Sequence, residues 1–196
     1  MEVISLIKID YLDNVELPMN VSNAVFTSKN AVRGWDQNTS SKDLNFGKVF
    51  CVGKKTKASL NKRGVEVNVV ADSSEALAKE IVAQKINEVY FFCGNLRRDD
   101  LPNILHTHNI SVTEVQVYNT TLIPSEVNGT FEGVLFFSPS AIKSYNLKNN
   151  DTHGVAFCIG NTTASEAKKH FKHVKVAKES SIQGVIECVQ EYFDYE

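Results

Sequence analysis

Two turns with similar residue types are the first places where this sequence could do chemistry. Ser28-Lys29-Asn30 follows the apolar segment Val25-Phe26-Thr27, and Ser138-Pro139-Ser140 follows Leu135-Phe136-Phe137. A serine before a helix accepts hydrogen bonds from its first N–H groups, and the N–H groups that stay free attract carboxylates and phosphates. Both turns therefore favour anion binding, and helix capping alone remains the alternative for each.

A second pair of turns places a threonine three residues after a glycine, in Gly53-Lys54-Lys55-Thr56 and in Gly160-Asn161-Thr162-Thr163. Glycine lets the backbone approach a ligand closely, and threonine adds a hydroxyl that can donate or accept. Thr163-Ala164-Ser165-Glu166 also fits a capping box, which is the alternative interpretation. Neither turn forms G-x-G-x-x-G or a phosphate-binding loop, so nucleotide binding lacks its usual pattern.

Two further groups of residues are less specific. Arg97-Arg98-Asp99-Asp100 follows Cys93-Gly94-Asn95 and fits either a charged helix start or a set of donors for an acidic ligand, and both interpretations stay open. His170 and His173 have a spacing compatible with a metal, but basic residues also suit the end of a helix, and we expect no metal site there.

Short apolar runs alternate with amphipathic helical patterns along the whole chain, which predicts an α/β fold with parallel sheets covered by helices. Helical periodicity is clearest over 96–108 and 180–193. The predicted strands are 3–9, 24–27, 48–52, 65–70, 88–93, 111–117, 133–137, 154–159 and 173–176.

The chain also repeats itself. The segment 25–32 returns as 135–142, the segment Phe50–Thr56 returns as Phe157–Thr163, and the serine pair 73–74 returns as 180–181, all at nearly the same offset. An offset maintained over such a length indicates two similar α/β lobes. In parallel sheets ligands bind beyond the carboxyl ends of the strands, which is where both pairs of turns lie.

Composition restricts the class of protein. The 196 residues are 42% hydrophobic and 22% charged with a net charge of −2, so neither nucleic acid nor a membrane is indicated as a partner. The four cysteines form no C-x-x-C pair, and with no signal peptide at the N-terminus they predict reduced thiols in a cytoplasmic protein.

The ordered set of motifs resembles the uroporphyrinogen-III synthase family over nearly the whole chain. The motifs that carry the resemblance are Phe26-Thr27-Ser28-Lys29-Asn30-Ala31-Val32, the two Gly-x-x-Thr turns, Cys93-Gly94-Asn95-Leu96-Arg97-Arg98, Val117-Tyr118-Asn119-Thr120, Phe136-Phe137-Ser138-Pro139-Ser140 and Ile159-Gly160-Asn161-Thr162-Thr163-Ala164. Each motif is short, and their common order is what makes the match specific.

The resemblance implies two flavodoxin-like lobes joined by a two-stranded antiparallel linker near residues 8–13 and 116–121, with the active site in the cleft between the lobes. Lobe 1 would comprise residues 1–12 plus 119–196, and lobe 2 residues 13–118. Members of the family begin with a further strand and helix, so we expect lobe 1 to lack its first strand and helix. We expect a monomer, with dimerisation if that sheet edge is exposed.

The family converts hydroxymethylbilane to uroporphyrinogen III, with loss of water and inversion of ring D, and uses no cofactor. The resemblance places Tyr118 where it would help water depart, and Thr56 and Thr163 as threonines that contact the substrate. The acetate and propionate groups would be held by the turns. The residues implied for substrate binding are Ser28, Lys29, Asn30, Gly53, Thr56, Gly94, Arg97, Ser138, Ser140, Gly160, Thr162 and Thr163.

Two other functions fit parts of the same pattern. A non-enzymatic two-lobed protein that binds a small anion would use the same turns, but it would not need a proton donor such as Tyr118. A response-regulator-like domain would need clustered acidic residues at the strand ends, where this chain carries Ser, Thr, Gly and Asn.

Overall fold

The chain consists of two compact units. A computed structural model describes residues 2–39, 45–149 and 154–194. Unit 1 comprises Met1–Lys8 and Thr121–Glu196, and unit 2 is the continuous segment Ile9–Thr120. The boundaries expected from the sequence, after residues 12 and 118, lie a few residues from these.

Unit 2 is built on parallel strands joined by helices. Its strands, including two that continue into unit 1, are β1 (Ile7–Tyr11), β2 (Asn20–Phe26), β3 (Asn45–Val52), β4 (Val69–Ala71), β5 (Glu88–Gly94) and β6 (Ser111–Leu122). Its helices are α1 (Lys29–Asn38), α2 (Lys54–Asn61), α3 (Ser74–Ala83) and α4 (Asp100–Thr107).

The strand order is β1-β6-β5-β2-β3-β4, and the pairs from β6 to β4 are parallel. If β5 is numbered 1 and β6 is numbered 2, then β2, β3 and β4 become 3, 4 and 5, and the parallel strands have the flavodoxin order 2-1-3-4-5. Unit 2 is therefore a circular permutation of that fold. The N–H of Leu12 bonds the carbonyl of Val117, and the N–H of Ile123 bonds that of Leu6. These bonds make β1 and β6 the antiparallel pair expected of the linker.

Apolar side chains fill both faces of this sheet. On one face Phe26 stacks on Phe92 with ring centroids 4.7 Å apart, and Trp35 of α1 packs against Phe26 at 5.9 Å. On the other face Leu77 and Ile81 of α3 pack with residues of α4. Because both faces are covered, the central strands are apolar and buried toward their carboxyl ends, over 24–26 in β2 and 91–93 in β5.

Unit 1 has a smaller sheet. Its elements are β7 (Gly133–Phe136), α5 (Pro139–Asn146), β8 (Val155–Cys158), α6 (Asn161–Ala167), β9 (His173–Val176) and α7 (Ile182–Phe193). The sheet order is β7-β8-β9, with all pairs parallel. Within the described residues unit 1 therefore has three parallel strands where unit 2 has five, and the expected absence of one strand and one helix from lobe 1 stays a prediction.

Three predicted elements begin four residues later in the structure. The strand predicted at 3–9 begins only at Ile7, and 2–6 has no regular structure. The strand predicted at 65–70 begins at Val69, since the carboxamide of Asn68 accepts the N–H of Val49 at 2.7 Å in place of a strand backbone. The helix predicted over 96–108 spans Asp100–Thr107. Across the described ranges, no helix is both long and apolar enough to cross a membrane.

Gly34 allows α1 to lie directly on β6, and its substitution tests this packing. A Cβ at Gly34 would lie 2.3 Å from the carbonyl oxygen of Val117. Because the obstructing atom belongs to the backbone, we expect Gly34→Ala to lower the free energy of unfolding by about 1–3 kcal/mol. Urea unfolding measures the change, and Arg33→Ala at an exposed position of α1 is the control. Equal stability of the two variants would contradict this packing.

Candidate functional site

The carboxyl ends of β2 and β5 define the candidate site in unit 2. These adjacent parallel strands lie at the centre of the sheet, and the chain leaves them toward opposite faces: α1 packs on one face and α4 on the other. Such a point, where the strand connections diverge, opens a crevice that binds ligands in doubly wound sheets. Ser28 follows β2 and Gly94 ends β5, so two predicted site residues meet there.

Tyr118 lies across Gly94 and reaches Ser28. The residue faces Gly94 in the β5–β6 ladder, and a Cβ on Gly94 would fall 2.4 Å from Cζ of the tyrosine ring. Only glycine leaves room for the ring in this position. The phenol oxygen is 3.3 Å from the hydroxyl oxygen of Ser28, and either group can donate. The structure therefore places three predicted site residues in one cluster.

The environment of Tyr118 keeps its phenol neutral. Burial raises the pKa of Tyr118 above the ordinary value of 10.0, and the interactions with Cys93 and Tyr11 act in the same direction. The hydrogen bond with Ser28 favours the phenolate and lowers the pKa, but by less than burial raises it. A neutral phenol can donate a proton or a hydrogen bond at neutral pH.

A second tyrosine, Tyr11 of β1, contacts the start of α1, and the sequence analysis did not identify it as a site residue. Its hydroxyl donates to Oδ1 of Asn30 at 3.3 Å, so the predicted binding residue Asn30 already has a partner. Tyr11 lies on β1, the neighbour of β6. The sequence feature that could have identified Tyr11 is its place in the predicted linker segment 8–13, because this segment pairs with the strand that carries Tyr118.

The two serine turns are helix caps in the structure. The hydroxyl of Ser28 accepts the N–H of Ala31 at 3.1 Å, and that of Ser138 accepts the N–H of Ala141 at 3.1 Å. The hydroxyls of Ser138 and Ser140 are 3.1 Å apart. Lys29 is exposed. Capping is thus present in both turns, where each serine hydroxyl binds one N–H group of the first helical turn.

The threonines of the glycine turns are nearly buried. Thr56 is 4% exposed and Thr163 is 3% exposed. In the described part of the chain no hydrogen-bond partner is found for either hydroxyl. Both lie in the third position of a helix whose N-cap is a glycine without a side-chain cap, so the interpretation of Thr163 as the first residue of a capping box is wrong. Thr162 is exposed beside it. Among the described residues, neither hydroxyl oxygen is itself a fully buried unpaired atom, so each stays accessible and is suited to bind a ligand.

The comparison with known proteins covers nearly the whole chain. A family model described as uroporphyrinogen-III synthase HemD matches residues 3–187. The chain belongs to the uroporphyrinogen-III synthase family. A relative from Ruminiclostridium josui, named porphyrin biosynthesis protein HemD, is 28% identical over an alignment of 187 residues, gaps included; the match covers 85% of this chain and 37% of the relative. The chain thus spans little more than a third of the length of that relative.

Solved structures of the family share the fold. Uroporphyrinogen-III synthetase from Helicobacter pylori is 21% identical, with a TM-score of 0.71 over 95% of this chain and 91% of that one. A mutant uroporphyrinogen III synthase from the extremely thermophilic bacterium Thermus thermophilus is 13% identical, with a TM-score of 0.69 over 97% and 88% of the two chains. At these identities the likeness establishes the two-lobed α/β fold expected from the family motifs.

Arg97, a predicted binding residue in a family motif, is already occupied by carboxylates. Its Nε donates to Glu114 at 2.7 Å and its Nη2 pairs with the same carboxylate at 2.5 Å, while Nη1 pairs with Asp99. These contacts raise the pKa of the guanidinium, with the Glu114 hydrogen bond the largest cause. Arg97 therefore adds no uncompensated positive charge near Gly94.

The cysteines are free thiols in the structure. Burial raises the pKa values of Cys51, Cys93 and Cys158 to about 11, so these thiols stay protonated at neutral pH. Such groups pack as small apolar side chains and are poor nucleophiles. Cys93 is the one beside the candidate site, where its neutral form adds no charge near Tyr118.

The two glycine turns should respond differently to substitution. Gly53 has φ +80°, which favours glycine, whereas Gly160 has φ −176°, which any residue adopts. A Cβ at Gly160 would meet only Oγ of Ser180, at 3.8 Å. We expect Gly53→Ala to lower the free energy of unfolding by about 1–2 kcal/mol and Gly160→Ala to leave it unchanged. Urea unfolding of both variants measures the change in the free energy of unfolding. An equal decrease in the two variants would contradict the difference in backbone conformation.

Ser28→Ala should raise the pKa of Tyr118 further, because it removes the hydrogen bond that favours the phenolate. The folded pKa lies above the unfolded value, so the unfolded chain loses this proton first and stability falls as the pH rises from the unfolded pKa through the folded one. Tyr118→Phe should abolish the part of the stability loss at alkaline pH that comes from this group. NMR titration of ¹³Cζ-labelled tyrosine measures the shift; a Tyr118 pKa below about 10 in the parent protein would contradict the assignment.

Proposed function

We propose that this protein is a uroporphyrinogen-III synthase, which closes hydroxymethylbilane to uroporphyrinogen III with loss of water and inversion of ring D. The proposal rests mainly on Tyr118, a phenol held neutral between Gly94 and the hydroxyl of Ser28 where the central strands diverge. Membership of the family suggests which reaction is catalysed, and the position of Tyr118 provides a proton donor that this reaction can use.

The first step of this reaction needs a proton donor. The pyrrole nitrogen of ring A drives the hydroxyl from the hydroxymethyl carbon, and that hydroxyl leaves as water if it receives a proton. Tyr118 is suited to give it, because burial keeps its proton in place while Ser28 can donate to the phenolate that remains. A placed donor of this kind typically contributes about 10²–10⁴-fold to rate.

The later steps need mainly positioning. The substituted carbon of ring D attacks the electrophilic methylene, and the spiro intermediate then opens and recloses with ring D inverted. The proton given to the leaving hydroxyl is balanced by the one that ring D releases at the end, so the net change is loss of one water. Holding the chain in the reactive fold lowers the barrier because the entropy of alignment is lost on binding, before the chemical step.

The helix starts are suited to the acetate and propionate groups. We assign carboxylate binding to Thr56 and Thr163, since both residues are nearly buried and neither hydroxyl has a partner among the described residues. Each lies in a helix first turn, where free N–H groups and the helix dipole favour anions. Lys54 and Lys57, close to Thr56 in the chain, add positive charge, and Lys29 does so beside Ser28.

A protein that only binds a small anion is the alternative, and the same two threonines favour it. Tyr118 separates the two functions, because binding alone would not need a neutral phenol held against a glycine. The proposal includes a monomer that acts in the cytoplasm without nucleic acid, membrane or cofactor.

Incubation with enzymatically generated hydroxymethylbilane tests the function. We expect uroporphyrinogen III from the parent protein without added metal or nucleotide, and about 10²-fold slower turnover for Tyr118→Phe, which keeps the ring and loses the donor. Chromatography of the oxidised isomers measures both.

Tyr90→Phe on β5 is the matched control, since Tyr90 lies in the middle of the strand, away from its carboxyl end, and the variant should retain full turnover. Isomer I alone from the folded parent protein would exclude the synthase. Full turnover of Tyr118→Phe would exclude the proton-donor role and leave the synthase standing.

A further inference from the structure

Asn95 replaces a rung of the β5–β6 ladder with its side chain. Nδ2 of Asn95 donates to the carbonyl of Thr120 at 3.2 Å, and Oδ1 accepts the N–H of Thr120 at 2.7 Å. The carboxamide thus binds both backbone groups of one residue. The backbone N–H of Asn95 also donates to the carbonyl of Tyr118, at 3.4 Å.

This clamp follows a bulge. Cys93 faces Gln116, but the next residue, Gly94, faces Tyr118, so Val117 is the extra residue on β6. A bulge re-aims the side chains that follow it and interrupts regular pairing. Here β5 ends at Gly94, and without a further contact β6 would leave the sheet as a single strand next to β1 only.

Three contacts from two residues then fix Tyr118. Gly94 supports one face of the ring, Asn95 binds the backbone of Tyr118, and the carboxamide of Asn95 holds Thr120 two residues further on. Ser28 contacts the phenol from another element. The backbone that carries the ring is therefore held by the end of β5 and the residue that follows it.

We propose that Asn95 is a positioning residue that sets the phenol of Tyr118 for proton donation, and this rests on the proposed synthase function. Asn95 acts through the strand and contributes no proton itself. A displacement of about 1 Å at a reacting group can cost about 10²-fold in rate, so loss of the clamp acts on turnover rather than on substrate affinity. Asn95 is exposed, so its truncation leaves the core of unit 2 intact.

Steady-state kinetics of Asn95→Ala test the proposal. We expect kcat to fall about 10-fold with KM unchanged, the pattern of a lost transition-state interaction. Asn95→Asp keeps the acceptor for the N–H of Thr120 and loses the donor, so its kcat should lie between those of Asn95→Ala and the parent. Asn119→Ala is the control, because its carboxamide bonds the side chain of Gln116 and kcat should not change.

A double-mutant cycle shows whether Asn95 works through the phenol. In the Tyr118→Phe background, Asn95→Ala should cause no further loss of kcat, because the group that it positions is gone. The same fold-loss in both backgrounds would overturn the proposal, as would a rise in KM with kcat unchanged.

An NMR measurement separates this proposal from the function itself. In protein labelled with ¹³Cζ-tyrosine, Asn95→Ala should shift the Tyr118 resonance, assigned with Tyr118→Phe, and leave the tyrosines outside the cluster unmoved. An unchanged Tyr118 resonance would overturn the positioning role even in an active enzyme. If the parent protein forms no isomer III, the synthase proposal fails, and a shifted resonance still supports the clamp.

Discussion

The parallel pairing of β2 with β5 is the constraint on which the candidate site depends. Phe26 and Phe92 face each other in this pair and their rings stack in the core. Two residues beyond this rung lie Ser28, which follows β2 as the N-cap of α1, and Gly94, which ends β5, so both reach the edge of the sheet at the same level. A shift of one residue in the register would turn the stacked rings to opposite faces and separate the serine from the glycine. Core packing therefore also sets the distance from Tyr118 to Ser28.

The internal repeat preserves residue types more closely than backbone conformation. Both glycine turns precede a helix with a buried threonine in its third position, yet Gly53 has a positive φ and Gly160 is extended. The serine pairs differ in a similar way, because Ser73 caps α3 whereas Ser181, the second serine of its pair, caps α7. A repeated sequence thus predicts the helix start, and the local conformation of each copy follows from its surroundings.

Features that depend on neighbours in the chain were predictable from the sequence. The caps at Ser28 and Ser138 were found because a cap needs only residues three positions apart, and the strand–helix alternation indicated the fold class because its periodicity is local. The ion pair of Arg97 with Glu114 was not predictable from the sequence, since Glu114 lies on the neighbouring strand. Tyr118 was singled out only by family resemblance, and the part played by Asn95 depends on a bulge that leaves no mark in the sequence.

The continuity of unit 2 has a consequence for the order in which the chain can fold. Ile9–Thr120 contains all the strands of its parallel sheet, so its core can close while the remainder is still being synthesised. Unit 1 cannot do so, because Leu6 packs in a cluster with Phe136 and Phe171 from the far end of the sequence. Once unit 2 has folded, the chain between these residues is no longer a flexible loop, and bringing them together costs much less conformational entropy. The inserted unit thereby acts as a folding template for the ends that flank it.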